Sequence, residues 1–214
     1  VFHTRLHDGF YELRSLLPMG VIIGLVLSII TISLGLVIPF GTIALIGVVT
    51  ILLSLTFSLR WLSPAYIIGF SMFGVIFLST LNSQSGFLQG LIDDFKSTHL
   101  TALVIVLALL LISEGLLVFK NGTKGTSPHI EQSKRGLPVG AHLTRRLWMI
   151  PVFLVFPGEV LQTQFQWWPL FSIHDGQYAL AVVPFTIGFQ NKTLGVLPTE
   201  GIRFIGKRII ALGL

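Results

Sequence analysis

The sequence has no cysteine, which excludes disulfide bridges and thiolate metal sites and leaves the redox compartment unmarked. Charge is scarce: Asp, Glu, Lys and Arg make up 11% of the 214 residues and fall in blocks between long uncharged runs. No HExxH stretch offers the ligands and general base of a zinc hydrolase. No GxSxG marks a serine nucleophile, and Ser28, Ser33, Ser54 and Ser71 have no histidine at helical spacing. Gly136-Leu137-Pro138-Val139-Gly140 lacks the lysine of a phosphate-binding loop. His3-x-x-x-His7-Asp8 could turn two imidazoles to one helix face, but two ligands do not complete a site, and His99, His129, His142 and His174 are scattered along the chain. His174-Asp175-Gly176 reads as a turn. Neither catalysis, nor a metal, nor a cofactor is therefore expected.

What the sequence has in abundance is apolar side chains, 52% of the total, with a mean hydropathy of +0.84. This composition predicts a polytopic membrane protein of the all-α class, a transmembrane helical bundle of about six spans. The charge-free run between Arg14 and Arg60 is about twice the length of one bilayer crossing, so it must turn back, and Pro39-Phe40-Gly41 is the natural turn. Spans are expected at Leu16–Ile38, at Thr42–Leu59, from Ser63-Pro64 to Leu81, with serine as cap and proline at the first helical position, and at Leu100–Phe119. Two short, proline-containing spans follow, Leu147–Leu161 and Tyr178–Phe189.

The segments accordingly divide into 1–15, a cytoplasmic juxtamembrane helix; 16–119, the first four transmembrane helices; 120–146, a basic cytoplasmic loop; 147–190, two short transmembrane helices; and 191–214, a cytoplasmic segment. With both termini inside, only Lys96 of the 14 Lys and Arg falls outside, so the chain is read as a multi-pass protein of the bacterial inner membrane, N-in and C-in. Arg60, Trp61, Arg145, Arg146, Trp148, Arg203, Lys207 and Arg208 are expected as inner-membrane anchors, and Trp167-Trp168 as outer ones. The sequence pI of 9.9 is explained by contact with an anionic inner leaflet rather than with nucleic acid. Ile209–Leu214 reads either as the start of a further span or as part of an amphipathic helix with Ile202, Ile205, Ile209 and Leu212 on one face. The absence of an initiator Met at Val1 is taken as the mark of a fragment, and no signal peptide is evident.

Two further patterns call for weighing. Gly20-x-x-x-Gly24-x-x-x-Ser28 is a helix-packing stripe of small residues that suits a homo-oligomer interface or, the reading a bundle favours, the second span of the same chain. Glu114 and Glu159 are the acids expected within the membrane, where a carboxylate is costly; boundary or structural roles outweigh ion coupling for both, Glu114 because it lies near Lys120 and Glu159 because it sits beside Pro157-Gly158.

Four stretches carry a family resemblance: 3-HTRLHDGFYELRSLLPMG-20, 60-RWLSPAYIIGF-70, 144-TRRLWMIPVFLVFPGEVL-161 and 198-PTEGIRFIGKRIIALGL-214. In this order they resemble the membrane region of MinJ-type division-topology proteins of Firmicutes. The resemblance implies a membrane scaffold for cell-division and septum-site determination, with a PDZ domain beyond this chain and with partners of the DivIVA and Min types. It also implies one span before Val1 and another starting at Ile209. No PDZ carboxylate-binding loop occurs in the 214 residues. The rival reading is a small proton- or ion-coupled transporter using Glu114 or Glu159, which would need a hydrated cavity and a polar partner from another helix.

Overall fold

Pro39 and Pro64 set the starts of two helices, the first from the capping position and the second from the first helical turn, where a missing N–H costs nothing. The chain, seen in a computed structural model, is described over residues 9–56, 58–81, 86–123, 126–132, 136, 138–158, 170–173, 176–194 and 198–214. The helices are α1 (Gly9–Ser33), α2 (Phe40–Ser54), α3 (Pro64–Ser79), α4 (Gly86–Ser97), α5 (Leu100–Asn121) and α6 (Pro198–Gly213), with a 3₁₀ turn at Leu59–Leu62. The strands are β1 (Ser127–Gln132), β2 (Pro138–Pro157), β3 (Leu170–Ile173) and β4 (Gly176–Leu194). They form one antiparallel sheet in the order β1-β2-β4-β3.

An all-α bundle of about six spans is therefore not the architecture. The segments expected as fifth and sixth helices are the long strands β2 and β4, paired from Ala141↔Leu194 to Pro157↔Tyr178. A strand advances about 3.3 Å per residue against 1.5 Å in a helix, so a run too short to cross as a helix is a long strand. Among the described residues one helix, Leu100–Asn121, is long and apolar enough to cross a membrane; the apolar stretches Leu17–Ser33, Phe40–Ser54 and Pro64–Ser79 are shorter.

Alternate residues of β2 face the core: Trp148, Ile150, Val152, Leu154 and Phe156 are buried, as are Phe185, Ile187 and Phe189 of β4. Helix α5 covers this face, and a small apolar cavity of about 10 Å³ remains where Val106 and Leu110 approach Val152 and Phe185. On the opposite face Leu147, Met149 and Val182 are exposed.

The outer edge of β2 is closed by α1. Gly20 and Gly24 sit so close to the carbonyl oxygens of Met149 and Pro151 that a Cβ on either would collide with them. One turn on, Ser28 Oγ accepts the Phe153 N–H at 2.8 Å while donating to the Gly24 carbonyl at 2.6 Å. Thr31 Oγ1 lies 3.3 Å from the Phe153 carbonyl, and beyond the α1 terminus, where Gly35 takes a φ of 63°, the Ile38 N–H donates to the Val155 carbonyl at 3.0 Å. The small-residue stripe thus serves a strand edge rather than another helix.

Gly24→Val is expected to lose about 3 kcal/mol or more of stability by overpacking against a strand backbone that has no room to move. Ser28→Ala, which orphans a partly buried N–H, should lose about 1–3 kcal/mol. Gly47→Ala, facing open space on α2, should be neutral or stabilising. Thermal unfolding of the three variants in detergent micelles checks the ranking.

Candidate functional site

Three polar features stand out against the apolar body. The first pairs α3 with α5. Ser63 is the residue before Pro64 at the α3 start, and its hydroxyl makes no bond to the helix amides, which corrects its expected capping role. It donates instead to Glu114 Oε2 at 2.9 Å. Glu114 is 4% exposed, so this hydroxyl is a neutral partner for a carboxyl group enclosed by packing. The carboxyl group thus has a polar partner from another helix, but it does not line the cavity beside Val152 and Phe185.

The second feature ties α2 to α4 at the opposite end of α3. The Gly41 N–H, free because it opens α2, donates to Asp94 Oδ2 at 2.8 Å. Beside it the hydroxyls of Thr42 and Thr98 meet at 2.6 Å, and Thr98 Oγ1 donates to the Asp94 carbonyl at 2.7 Å. Burial holds the Asp94 carboxyl above its ordinary value of 3.8, against the pull of the Gly41 amide and with a smaller push from Asp93. The sequence gives no signal for this contact, because an acid in a polar connection is not tied by any spacing to a helix start so far upstream.

The third feature is a basic surface. Arg60, Lys120, Arg145, Lys192, Arg203, Lys207 and Arg208 are all exposed. Close contacts bring their segments to one end of the molecule. Gly188 abuts the Leu59 carbonyl, Arg145 pairs with Gln190, Gly201 approaches Thr193, and Gly122 meets Ile202. The α6 helix lies antiparallel on α5, with Gly206 against Phe119 and Gly213 against Ala108 and Ile112. Ile202 is buried and Ile205 and Ile209 pack on the core, while Leu212 is exposed. Arg203 stacks over the Phe119 ring at 5.8 Å and Arg208 over Phe204 at 4.4 Å.

Of the expected anchors, Arg60, Trp61, Arg145, Arg203, Lys207 and Arg208 lie on the surface. Trp148 is fully buried on the inner face of β2 and Arg146 nearly so, which keeps both off that surface. Glu159, His3, His7, His174, Trp167, Trp168, Lys124, Lys134 and Arg135 lie outside the described residues. No group of three or more His, Cys, Asp or Glu that could hold a metal occurs among the described residues.

Two outcomes follow from the polar pairs. Ser63→Ala should lower stability by about 1–3 kcal/mol, since it strips the enclosed carboxyl of its donor, whereas Glu114→Gln keeps an acceptor for Ser63 and should unfold at the wild-type temperature or above. At Asp94 the folded-state pKa lies above the unfolded one, so the folded chain binds more protons, and this carboxyl's contribution to stability falls as pH rises through and above 3.8. Asp94→Asn, which keeps an acceptor for Gly41, should therefore be more stable than wild type at pH 7 and match it in acid below the unfolded pKa. Unfolding midpoints across pH test this.

No family model matches the chain, and no solved structure does. It is 36% identical over 213 residues to a protein of Bacillus subtilis (strain 168), "Cell division topological determinant MinJ". The alignment covers 100% of this chain and 53% of that protein, so the chain spans about half the length of the curated relative it matches. The MinJ-type resemblance read from the four stretches is borne out.

Proposed function

We propose that this MinJ-type chain is the membrane-embedded part of a cell-division topological determinant, acting as an anchor and scaffold for proteins that place the division site. The observation that carries the reading is identity to such a determinant along the full length of the chain. The partners fitting the proposal are a polar protein of the DivIVA type and a division inhibitor of the Min type. The role is one of binding and placement rather than catalysis.

The surface supports a bilayer as the first partner. Large apolar side chains are exposed along α1 (Ile22, Leu25, Val26, Ile29), α2 (Val48, Ile51, Leu52) and α3 (Phe70, Phe73, Phe77). Exposed apolar patches beyond a few hundred Å² mark protein or membrane contacts. The same helices carry no Asp, Glu, Lys or Arg over Leu17–Ser33, Phe40–Ser54 and Pro64–Ser79, which suits lipid better than a partner that dissociates into water.

A fluorescent fusion of the intact parent protein, imaged in dividing cells beside this chain alone, tests the proposal. Mid-cell and polar enrichment of the parent is expected, and the behaviour of the shorter chain shows whether these residues suffice for it. Uniform membrane fluorescence of the parent, with normal division in a deletion strain, would sink the reading.

A further inference from the structure

The basic end of the molecule is more than the leftover of a one-sided charge count, because the fold fixes its geometry. Helix α6 cannot roll on α5: a Cβ at Gly206 would lie 2.9 Å from the Phe119 nitrogen, and one at Gly213 would lie 2.8 Å from the Ala108 carbonyl oxygen. That close packing commits Ile202, Ile205 and Ile209 to the core and leaves Arg203, Phe204, Lys207 and Arg208 facing outward. Arg208 lies against Phe204 in the same exposed row. Lys120 lies in the last turn of the helix on which α6 rests, and Arg60 with its neighbour Trp61 is exposed on the 3₁₀ turn that abuts Gly188. Only Glu200 adds an exposed acid to α6. The opposite end of the molecule, by contrast, carries Asp93 and Asp94 with a single base, Lys96, on α4.

We infer that α6, with Arg60 and Lys120, forms a docking face for anionic lipid headgroups, with Arg203, Lys207 and Arg208 as its principal phosphate contacts. Three features favour lipid over an acidic protein. The face holds an exposed Trp61, packed at 4.9 Å on the exposed Tyr66, and Trp and Tyr are the aromatic side chains that settle at headgroup depth. It is built on α5, the helix long and apolar enough to cross a bilayer. Finally, Gly206 packs on Phe119, so Arg203, Lys207 and Arg208 stand beside the last turns of α5, the level at which a helix crossing a bilayer meets the headgroups. The inference rests on the membrane-embedded reading above and adds a lipid specificity to it.

The test uses the purified full chain reconstituted into phosphatidylcholine vesicles that contain a trace of dansyl-labelled lipid, either phosphatidylglycerol or phosphatidylcholine. Energy transfer from tryptophan reports which labelled lipid gathers round the protein. Wild type is expected to prefer the anionic probe, with the preference falling as salt is raised, and each charge removed from the face should weaken it by roughly fivefold at most. The triple variant Arg203→Gln, Lys207→Gln, Arg208→Gln should lose the preference. Arg203→Lys with Arg208→Lys should retain it, which separates charge from loss of fold, and helical circular dichroism checks the fold of both. Equal transfer to the two probes in wild type, or full preference in the triple glutamine variant, would overturn the inference. Equal transfer joined to mislocalisation of the glutamine variant in cells would assign the face to an acidic protein instead. Uniform localisation of the parent with intact lipid preference would defeat the division role and leave this inference standing.

Discussion

The outer edge of β2 is the constraint around which the molecule is arranged. A strand among apolar neighbours must match its N–H and C=O groups on both sides, since an orphaned backbone group costs as much as a lost hydrogen bond. β4 satisfies one side. On the other, odd-numbered residues of β2 direct their backbone groups at α1, where Ser28, Thr31 and the Ile38 amide meet them. A helix has no spare backbone donors of its own along its length, so only side chains short enough to let it come close can do this. Gly20, Gly24 and Ser28 are such residues, and their spacing suits the task. Four residues of helix advance about 6 Å and two of strand about 6.6 Å, so the stripe keeps step with Met149, Pro151 and Phe153.

That alignment also explains a pair of prolines. Pro151 and Pro184 stand opposite each other in the β2–β4 ladder. The backbone of Pro151 belongs to the odd set that faces α1, so its missing N–H takes no bond from the ladder, and the opposed Pro184 likewise faces away from β2. Proline in a strand is confined to such positions. With the sheet closed on this side, its inner face is free to receive α5, and α5 in turn carries α6. The burial of Trp148 and the exposure of Arg203 thus derive from one packing sequence that begins at Gly20.

Much of the helical part was legible. Pro64 starts α3 and Leu100 starts α5 where proline and the apolar runs place them, and Ile202, Ile205 and Ile209 of the one-sided pattern turn inward on α6, though Leu212, expected on the same face, is exposed. The strands were not, for a physical reason. Trp148 to Phe156 is an unbroken apolar run, and neither a helical nor an alternating period can be read from residues that are all apolar. The signals that discriminate were composition and proline: Val152, Phe153, Val155 and Phe156 favour the pleated surface, and a proline inside each run argues against helix. Of the candidate site, Glu114 stood out because a carboxylate amid apolar residues is unusual wherever it falls. Its partner was hidden, because Ser63 offers the same sequence signal whether it caps α3 or reaches across to α5. Asp94 was hidden more completely, since what makes it special is the Gly41 amide that meets it from another helix.

The two kinds of helix also say what surrounds the molecule. Helix α1 from Leu17 on, α2 and α3 are apolar around their circumference, yet only part of each is covered by the rest of the chain. An all-round apolar helix is stable when everything that touches it is apolar, whether protein or lipid. Helices α4 and α6 are amphipathic, and at opposite ends of the apolar body they turn Asp93 and Lys96, and Arg203, Lys207 and Arg208, outward, while Asp94 reaches in to the Gly41 amide. A boundary between apolar and polar surroundings is therefore drawn by the chain itself, across α6 and along the exposed rows of Arg203 and Lys207. The cavity by Val152, about 10 Å³, is too small for a ligand. Among the described residues the most sharply defined surface for recognition is the basic row that glycine contacts hold in place.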